Sequence, residues 1–180
     1  MYRASAFLVS NSGVDITNGD AAAALLMEHC IDVSSRGVFI DGEDVAGSIR
    51  TSSVGEAASV ISAHHQIREQ MVLLQRAFGN KHNTVAEGRD MGTVVFPGAS
   101  LKVYVVADIA VRALRRLKDL GDSDMDKMVH SVFRRDHRDR NRSESPLRLP
   151  PGAVWLDGTG MSVADQVSFV LEHYRKLREA

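Results

Sequence analysis

The sequence predicts an α/β fold: a parallel sheet with flanking helices, joined to a small antiparallel insert in the first third of the chain. Three observations carry this reading. Short apolar, β-branched runs alternate with helix-period segments from residue 84 onward, which is the pattern of strands laid parallel with helices between them. Two alternating stretches at 30–34 and 38–40 are separated by Ser35-Arg36-Gly37, a hairpin spacing. One helix then ends in Arg134-Arg135-Asp136-His137-Arg138-Asp139-Arg140-Asn141-Arg142, five arginines and two aspartates in nine residues.

Taken in order, residues 1–8 read as a helix already under way, which Asn11-Ser12-Gly13 ends. Asp20 is the expected cap of a short apolar helix over 21–28. After the hairpin, Gly42 and Gly47 bracket a third short segment around Val45. Ser52 or Ser53 can cap a helix running to about 63. The next helix carries Ile67, Met71, Leu74 and Phe78 at core spacing, with Gly79 as its stop. His64-His65 is an isolated pair with no partners at metal-ligand spacing.

In the second half, strands are expected at 84–90 and 101–107. Asp108 caps a helix with Ala110, Ala113, Leu114 and Leu117 inward, and Gly121 stops it. Asp124 caps the helix that buries Met125, Met128, Val129, Val132 and Phe133 and delivers the arginine run. Pro146, Pro150 and Pro151 forbid further helix. A last strand at 154–156, with Trp155 read as core, precedes a helix that turns Val163, Val167, Val170, Leu171 and Tyr174 inward.

Composition narrows the function. The chain has 180 residues, 44% hydrophobic and 25% charged, ordinary for a globular domain. A net charge of −1 offers no general attraction to nucleic acid or acidic membranes. The distribution is uneven: residues 1–60 hold three arginines against eight acids, whereas 134–142 are net +3. That favours a local anion site over a broad basic surface. The single cysteine, Cys30, rules out an internal disulfide and fits a reducing compartment. No apolar run is long enough to span a membrane and no signal peptide is evident, so the expected location is the cytoplasm.

Two stretches carry candidate chemistry. If 134–142 is helical, Arg134, Arg138 and Arg142 share a face, and Arg135 with Asp139, and Asp136 with Arg140, form opposite-charge pairs. Such a run is either a solvated, self-paired helix end or a phosphate clamp, because guanidinium stays charged and grips phosphate oxygens in bidentate fashion. Glu87-Gly88-Arg89-Asp90 stands at a strand's carboxyl end, where open parallel sheets bind ligands. Two sites of arginine plus aspartate on one α/β frame point to a nucleotide phosphate pocket.

The run Glu87-Gly88-Arg89-Asp90-Met91-Gly92-Thr93-Val94-Val95-Phe96-Pro97 resembles the signature of the bacterial cytidylate kinases, the CMP/dCMP kinases. Residues 134–142 resemble that family's lid. Gly42-Glu43-Asp44-Val45 and Ile49-Arg50-Thr51 are similar to its monophosphate-binding insert, and Met1-Tyr2-Arg3 to the end of its Gly-Ala-Met-Tyr-Arg motif. The resemblance covers the whole chain in order.

It implies a single nucleoside-monophosphate-kinase-like domain over 1–180 with a P-loop NTPase-type sheet, an insert at about 14–62 and a lid at about 122–146. The activity implied is transfer of the ATP γ-phosphate to CMP or dCMP, with Mg²⁺, by a monomer. Arg3, Arg89 and Arg142 match arginines that hold the CMP phosphate. Ser59, Arg68 and Asp90 match residues that read cytosine, and Arg135 with Asp139 the pair on the ribose hydroxyl. Glu87 matches an acid at the phosphate end of the strand, beside Mg²⁺; with Arg89 and Arg142 it makes the catalytic set. No residue is implied as a dedicated metal ligand. Phosphoryl transfer asks mainly for positioning and charge neutralisation, which suits an arginine-lined site with few bases.

The sequence departs from the family in one large respect. No Gly-x-x-x-x-Gly-Lys stretch, the loop that cradles ATP phosphates, occurs in it, and Met1 falls on the methionine inside the family motif. The expectation is an N-terminally truncated form that lacks the loop and the central first strand, does not transfer phosphate alone, and self-associates through exposed strand edges or rearranges its sheet. A smaller departure, Gly158 and Gly160 in the turn after Leu156, bears on that turn's rigidity and not on substrate choice. Two other readings fit the residues: a non-catalytic CMP-binding module, and an RNA-binding protein using the arginine run. Against the last stand the two aspartates within the run and an aromatic content of only 6%.

Overall fold

The computed structural model describes residues 1–34, 36–121 and 123–179. Ser35, expected in the hairpin turn, and Asp122, at the start of the expected lid, lie outside the described residues. The chain divides into two compact units, Met1–Thr84 and Val85–Ala180.

The first unit opens with α1 (Tyr2–Asn11) and α2 (Gly19–Met27). The cap of α2 is Asn18, not Asp20: Asn18 has the extended backbone a cap requires, and its side chain accepts from the Ala21 N–H at 3.1 Å. Asp20 lies inside the first turn, where it accepts from Gln66 Nε2 at 2.6 Å. A three-stranded antiparallel sheet follows in the order β1 (Ile31–Ser34), β2 (Gly37–Ile40), β3 (Glu43–Asp44). Its register pairs Ile31 with Ile40 and Phe39 with Asp44. Asp41 and Gly42, both at positive φ, make the second turn.

After a 3₁₀ turn at Ser48–Arg50 come α3 (Ser52–Ile61) and α4 (His65–Gly79). Thr51, not Ser52 or Ser53, caps α3, because the helix begins one residue earlier than the serines suggest. Gly79 does not stop α4 by a left-handed turn; it is the last helical residue, and the exit passes through Asn80 in the right-handed region. Helix α1 packs along α3, and α2 against α4. Val9, Ile61, Ile67 and Met71 are almost fully buried in the resulting core. Leu74, expected inward, is exposed.

The second unit begins irregularly. The expected strand at 84–90 is not formed, and Val85 is fully exposed. A strand exists only through its neighbour's hydrogen bonds, and no described segment pairs with this one. The Asp90 carbonyl instead gathers the N–H groups of Thr93, Val94 and Val95 at 2.9–3.3 Å, opening a π-helical turn over Met91–Val95. Then come β4 (Val103–Val106), α5 (Ile109–Leu120), α6 (Met125–Asn141), β5 (Val154–Asp157) and α7 (Val163–Glu179).

Strands β4 and β5 pair in parallel, Val103 with Val154 through Val106 with Asp157. Asp108 caps α5, and Gly121 ends it at φ 65°. Asp124 caps α6; the Lys127 side chain and N–H hold its carboxyl below the usual carboxylate range. Helices α5 and α6 pack on Ala113, Leu117, Met128 and Val132.

Several expected core placements in this unit do not hold: on α5, Ala110 and Leu114 are exposed, and only Ala113 and Leu117 are buried. Phe133 is exposed and stacks on His137. Trp155 is 55% exposed and leans on Tyr104 across the parallel pair. Val163, Val167, Leu171 and Tyr174 of α7 are exposed, and no residue of that helix is buried. Amphipathic spacing defines an apolar face without saying what covers it.

The turn after β5 is well tied despite its glycines. Gly158 N–H bonds the Val106 carbonyl at 2.8 Å, Arg115 Nη2 donates to the Gly158 carbonyl at 2.7 Å, and Asp157 accepts from Thr159. Among the described residues no helix is long and apolar enough to cross a membrane.

Candidate functional site

In the second unit two of the expected arginines, Arg89 and Arg135, meet one carboxylate. Asp139 lies in the last turn of α6, its side chain only 6% exposed. Arg89 Nε donates to Asp139 Oδ2 at 2.8 Å, and Arg135, one helical turn before it, stands with Nε 4.0 Å from the same oxygen. A carboxylate this buried is tolerated only when paired. The Asp139 carbonyl also accepts from Leu147 N–H at 2.7 Å, folding the segment after α6 back on the helix. Arg142 occupies the C-cap and donates from Nε to the Ser145 carbonyl at 2.7 Å. Ser145 sits at φ 47°, and the turn it makes aims this carbonyl at the guanidinium.

The other aspartate of the run behaves differently from the helix-spacing expectation. Asp136 pairs not with Arg140 but with Arg112 Nη1 of α5, at 2.8 Å. Arg112 Nε donates to the Ala107 carbonyl just past β4. Each aspartate of the run therefore takes an arginine from outside it, and the run is tied into the fold instead of merely self-paired.

Asp90 is buried, held by the π-helical turn that starts on its carbonyl; Thr93 Oγ1 also donates there. Gly92 has no room for a side chain, since a Cβ would stand 2.8 Å from the Pro150 ring. At Gly88 a Cβ would meet the flexible end of Met91 at 2.9 Å. Glu87 is exposed on the irregular segment.

The first unit holds Arg3, Ser59 and Arg68 on α1, α3 and α4. Arg3 Nη1 donates to the Ile49 carbonyl at 2.7 Å and the Thr51 carbonyl at 3.1 Å. Arg68 is buried, donates to the Ser62 carbonyl at 3.2 Å, and lies over the Tyr2 ring at 5.8 Å. Ser59 is buried on α3, and its carbonyl accepts from Ser62 Oγ.

Sequence reasoning missed Arg112, Tyr2 and Thr51. Arg112 carried a weak signal, an arginine in the first turn of a helix, where positive charge is disfavoured unless it has a partner. Tyr2, beside Arg3 in the same motif, had no signal independent of that motif. Among the described residues no group of three or more His, Cys, Asp or Glu is placed to hold a metal.

A family model described as cytidylate kinase matches residues 1–176. A protein named cytidylate kinase from Cupriavidus pinatubonensis is 38% identical over 184 residues, covering 100% of this chain and 83% of the relative. Relatives of the same name from Vibrio parahaemolyticus and Pseudomonas aeruginosa PAO1 are each 38% identical, over 96% of this chain and 80% of their own length. With that match over residues 1–176 and these identities over nearly the whole chain, the chain belongs to the cytidylate kinase family.

Proposed function

We propose that this chain binds CMP or dCMP as the acceptor of the ATP γ-phosphate, giving CDP or dCDP in cytoplasmic pyrimidine nucleotide metabolism. One observation supports the reading above others. Each of the three arginines assigned to the monophosphate spends a donor on a protein acceptor: Arg3 on the Ile49 and Thr51 carbonyls, Arg89 on Asp139, Arg142 on the Ser145 carbonyl. Anchored in this way, a guanidinium is oriented before ligand arrives, and less side-chain freedom is lost on binding.

In this reading Arg3, Arg89 and Arg142 neutralise and orient the phosphate. Ser59, Arg68 and Asp90 read the base: a carboxylate accepts from the cytosine amine, and Arg68 donates to the ring acceptors. Asp139 and Arg135 hold the ribose hydroxyl. Residues 14–62 form the monophosphate-binding insert and 122–146 the lid of one kinase-like domain. A single exposed carboxylate, Glu87, fits a magnesium ion that arrives on nucleotide phosphates rather than one caged by the protein. Such an ion would neutralise phosphate charge. As positioning groups, Glu87, Arg89 and Arg142 are the catalytic set.

A second reading, a CMP-binding module without transferase activity, is favoured by one observation: residues 1–180 contain no Gly-x-x-x-x-Gly-Lys loop. An RNA-binding role for the arginine run is disfavoured, because Arg112 and Arg89 commit its aspartates to fold-building pairs without adding an aromatic stacking platform.

Calorimetric titration of the chain with CMP, dCMP, UMP and ATP tests these readings. CMP or dCMP should bind, and Asp139→Ala should weaken binding roughly tenfold or more. Absence of CMP heat, or an unchanged Asp139→Ala variant, would sink the acceptor assignment. A coupled assay with ATP and CMP separates the first two readings. Turnover would remove the module reading, and CMP binding without turnover would favour it over transfer.

A further inference from the structure

Helix α3 contains a glycine that its backbone does not require. Gly55 is buried at the end of the first turn of α3, its N–H bonded to the Thr51 carbonyl, and it is not among the glycines at positive φ. Glycine is among the poorest helix formers, so a buried interior glycine needs a reason in space. The reason here is one side chain. A Cβ on Gly55 would stand 3.0 Å from Arg3 Nη2, 3.4 Å from Arg3 Cζ and 3.5 Å from Arg3 Nη1, and these are its three nearest atoms. The guanidinium of Arg3 therefore stands against the bare backbone of α3, Nη2 nearest.

The anchoring on the other side fixes which donors stay available. Arg3 Nη1 spends its two protons on the Ile49 and Thr51 carbonyls, at 2.7 and 3.1 Å. Among the described residues, neither Nε nor Nη2 of Arg3 donates to the protein. Those two nitrogens form the side-on edge that meets two oxygens of a phosphate in parallel. The atom that a Gly55 side chain would press hardest, Nη2, belongs to that edge.

We propose that Gly55 is a positioning residue for the phosphate of the acceptor nucleotide: it seats the Arg3 guanidinium so that its Nε–Nη2 edge faces the ligand. This rests on the reading that Arg3 binds the CMP phosphate. A methyl group at position 55 pushes the guanidinium by a few tenths of an ångström against its two carbonyl anchors. The edge tilts, and bidentate contact weakens to a single hydrogen bond. The helix itself gains from the change, because alanine is the better helix former. Affinity and stability are thus expected to move in opposite directions, which a merely structural glycine would not produce.

The experiment is a double-mutant cycle on residues 1–180, with CMP affinity read by calorimetry and stability by thermal melting. Gly55→Ala is expected to weaken CMP roughly five- to tenfold while the melting temperature holds or rises, and to have no further effect once Arg3 is alanine. Cytidine, which lacks the phosphate, should bind Gly55→Ala and the parent equally. If Arg3→Ala weakens CMP but Gly55→Ala does not, the role of Gly55 is overturned and the reading of Arg3 stands. If Arg3→Ala leaves CMP affinity unchanged, or the parent binds no CMP, the reading of Arg3 falls and Gly55 with it. Equal losses from Gly55→Ala with and without Arg3 would show that the glycine acts on something else.

Discussion

The two units solve the burial problem to different extents. In Met1–Thr84, four helices and a three-stranded sheet close on a shared cluster that includes Val9, Leu26, Ile40, Ile61, Ile67 and Met71. In Val85–Ala180 the clustered core is Ala113, Leu117, Met128 and Val132, between α5 and α6 alone. The parallel pair β4–β5 and helix α7 keep Val105, Trp155, Val163, Val167 and Leu171 exposed. Parallel sheets are ordinarily covered on both faces, so a two-stranded pair with an open apolar helix nearby is an unfinished layer. Ionic structure follows the reverse trend: the pairs Arg89–Asp139 and Arg112–Asp136 both belong to the second unit. The first unit is held mainly by apolar packing. The second depends more on paired charge.

The largest effect that tests this contrast is a core truncation. Ile61→Ala should cost about 2–5 kcal/mol, and Leu171→Ala less than about 0.5 kcal/mol, in urea melts followed by circular dichroism. A Leu171→Ala cost comparable to that of Ile61→Ala would mean that α7 is covered in solution and would erase the contrast.

Next in size is self-association through the second unit's open surfaces, which is expected to rise with concentration in sedimentation experiments. Val167→Lys with Leu171→Lys should reduce it several-fold without lowering the melting temperature. Association unchanged by these lysines would move the sticky surface elsewhere.

The ionic side of the contrast is tested at Arg112. Arg112→Ala should lower stability by about 1 kcal/mol, since the pair is only partly buried and solvent screens it. Exchanging the two residues, Arg112→Asp with Asp136→Arg, should recover part of the loss. No loss in the single variant would make the pair incidental.

The smallest effect is on acid. In the second unit, hydrogen bonds from Thr159 hold the Asp157 carboxyl below its usual range, and those from Ser162 do the same for Asp165. A carboxyl depressed in the folded state contributes stability above its unfolded pKa, about 3.9 for aspartate, and loses it as pH falls through the lower folded value. The second unit's amide signals in NMR should therefore weaken only below about pH 4, and Asp157→Asn should flatten that dependence for the turn after β5. Because both groups are solvent-exposed, the change is small.

Local signals were legible in the sequence and distant ones were not. Asp108, Asp124 and Gly121 mark helix ends correctly because capping needs only the next few residues. The hairpin was legible from its two alternating stretches, but its register was not: Gly37, expected in the connection, pairs with Ser34 inside the ladder. Asp20 and the serines at 52 and 53 misled by one or two positions, since several capping types stand side by side there and only backbone geometry chooses among them. The strand expected at 84–90 and the inward face of α7 fail for another reason: both depend on what lies alongside, which no local pattern encodes. At the site, Arg89, Asp139 and Arg135 were named from motif resemblance, and their common oxygen emerges only in three dimensions. Arg112 as the partner of Asp136 lies 24 positions away on another helix, beyond the reach of spacing arguments.

The chain's sole tryptophan, Trp155, is half open to water on β5 beside Tyr104, with ring centroids 5.3 Å apart. Its emission is therefore a built-in optical label on the second unit. Light absorbed by Tyr104 should pass to the indole, and anything that settles over the parallel pair should shift the glow toward the blue. That unit can thus be watched without attaching a dye.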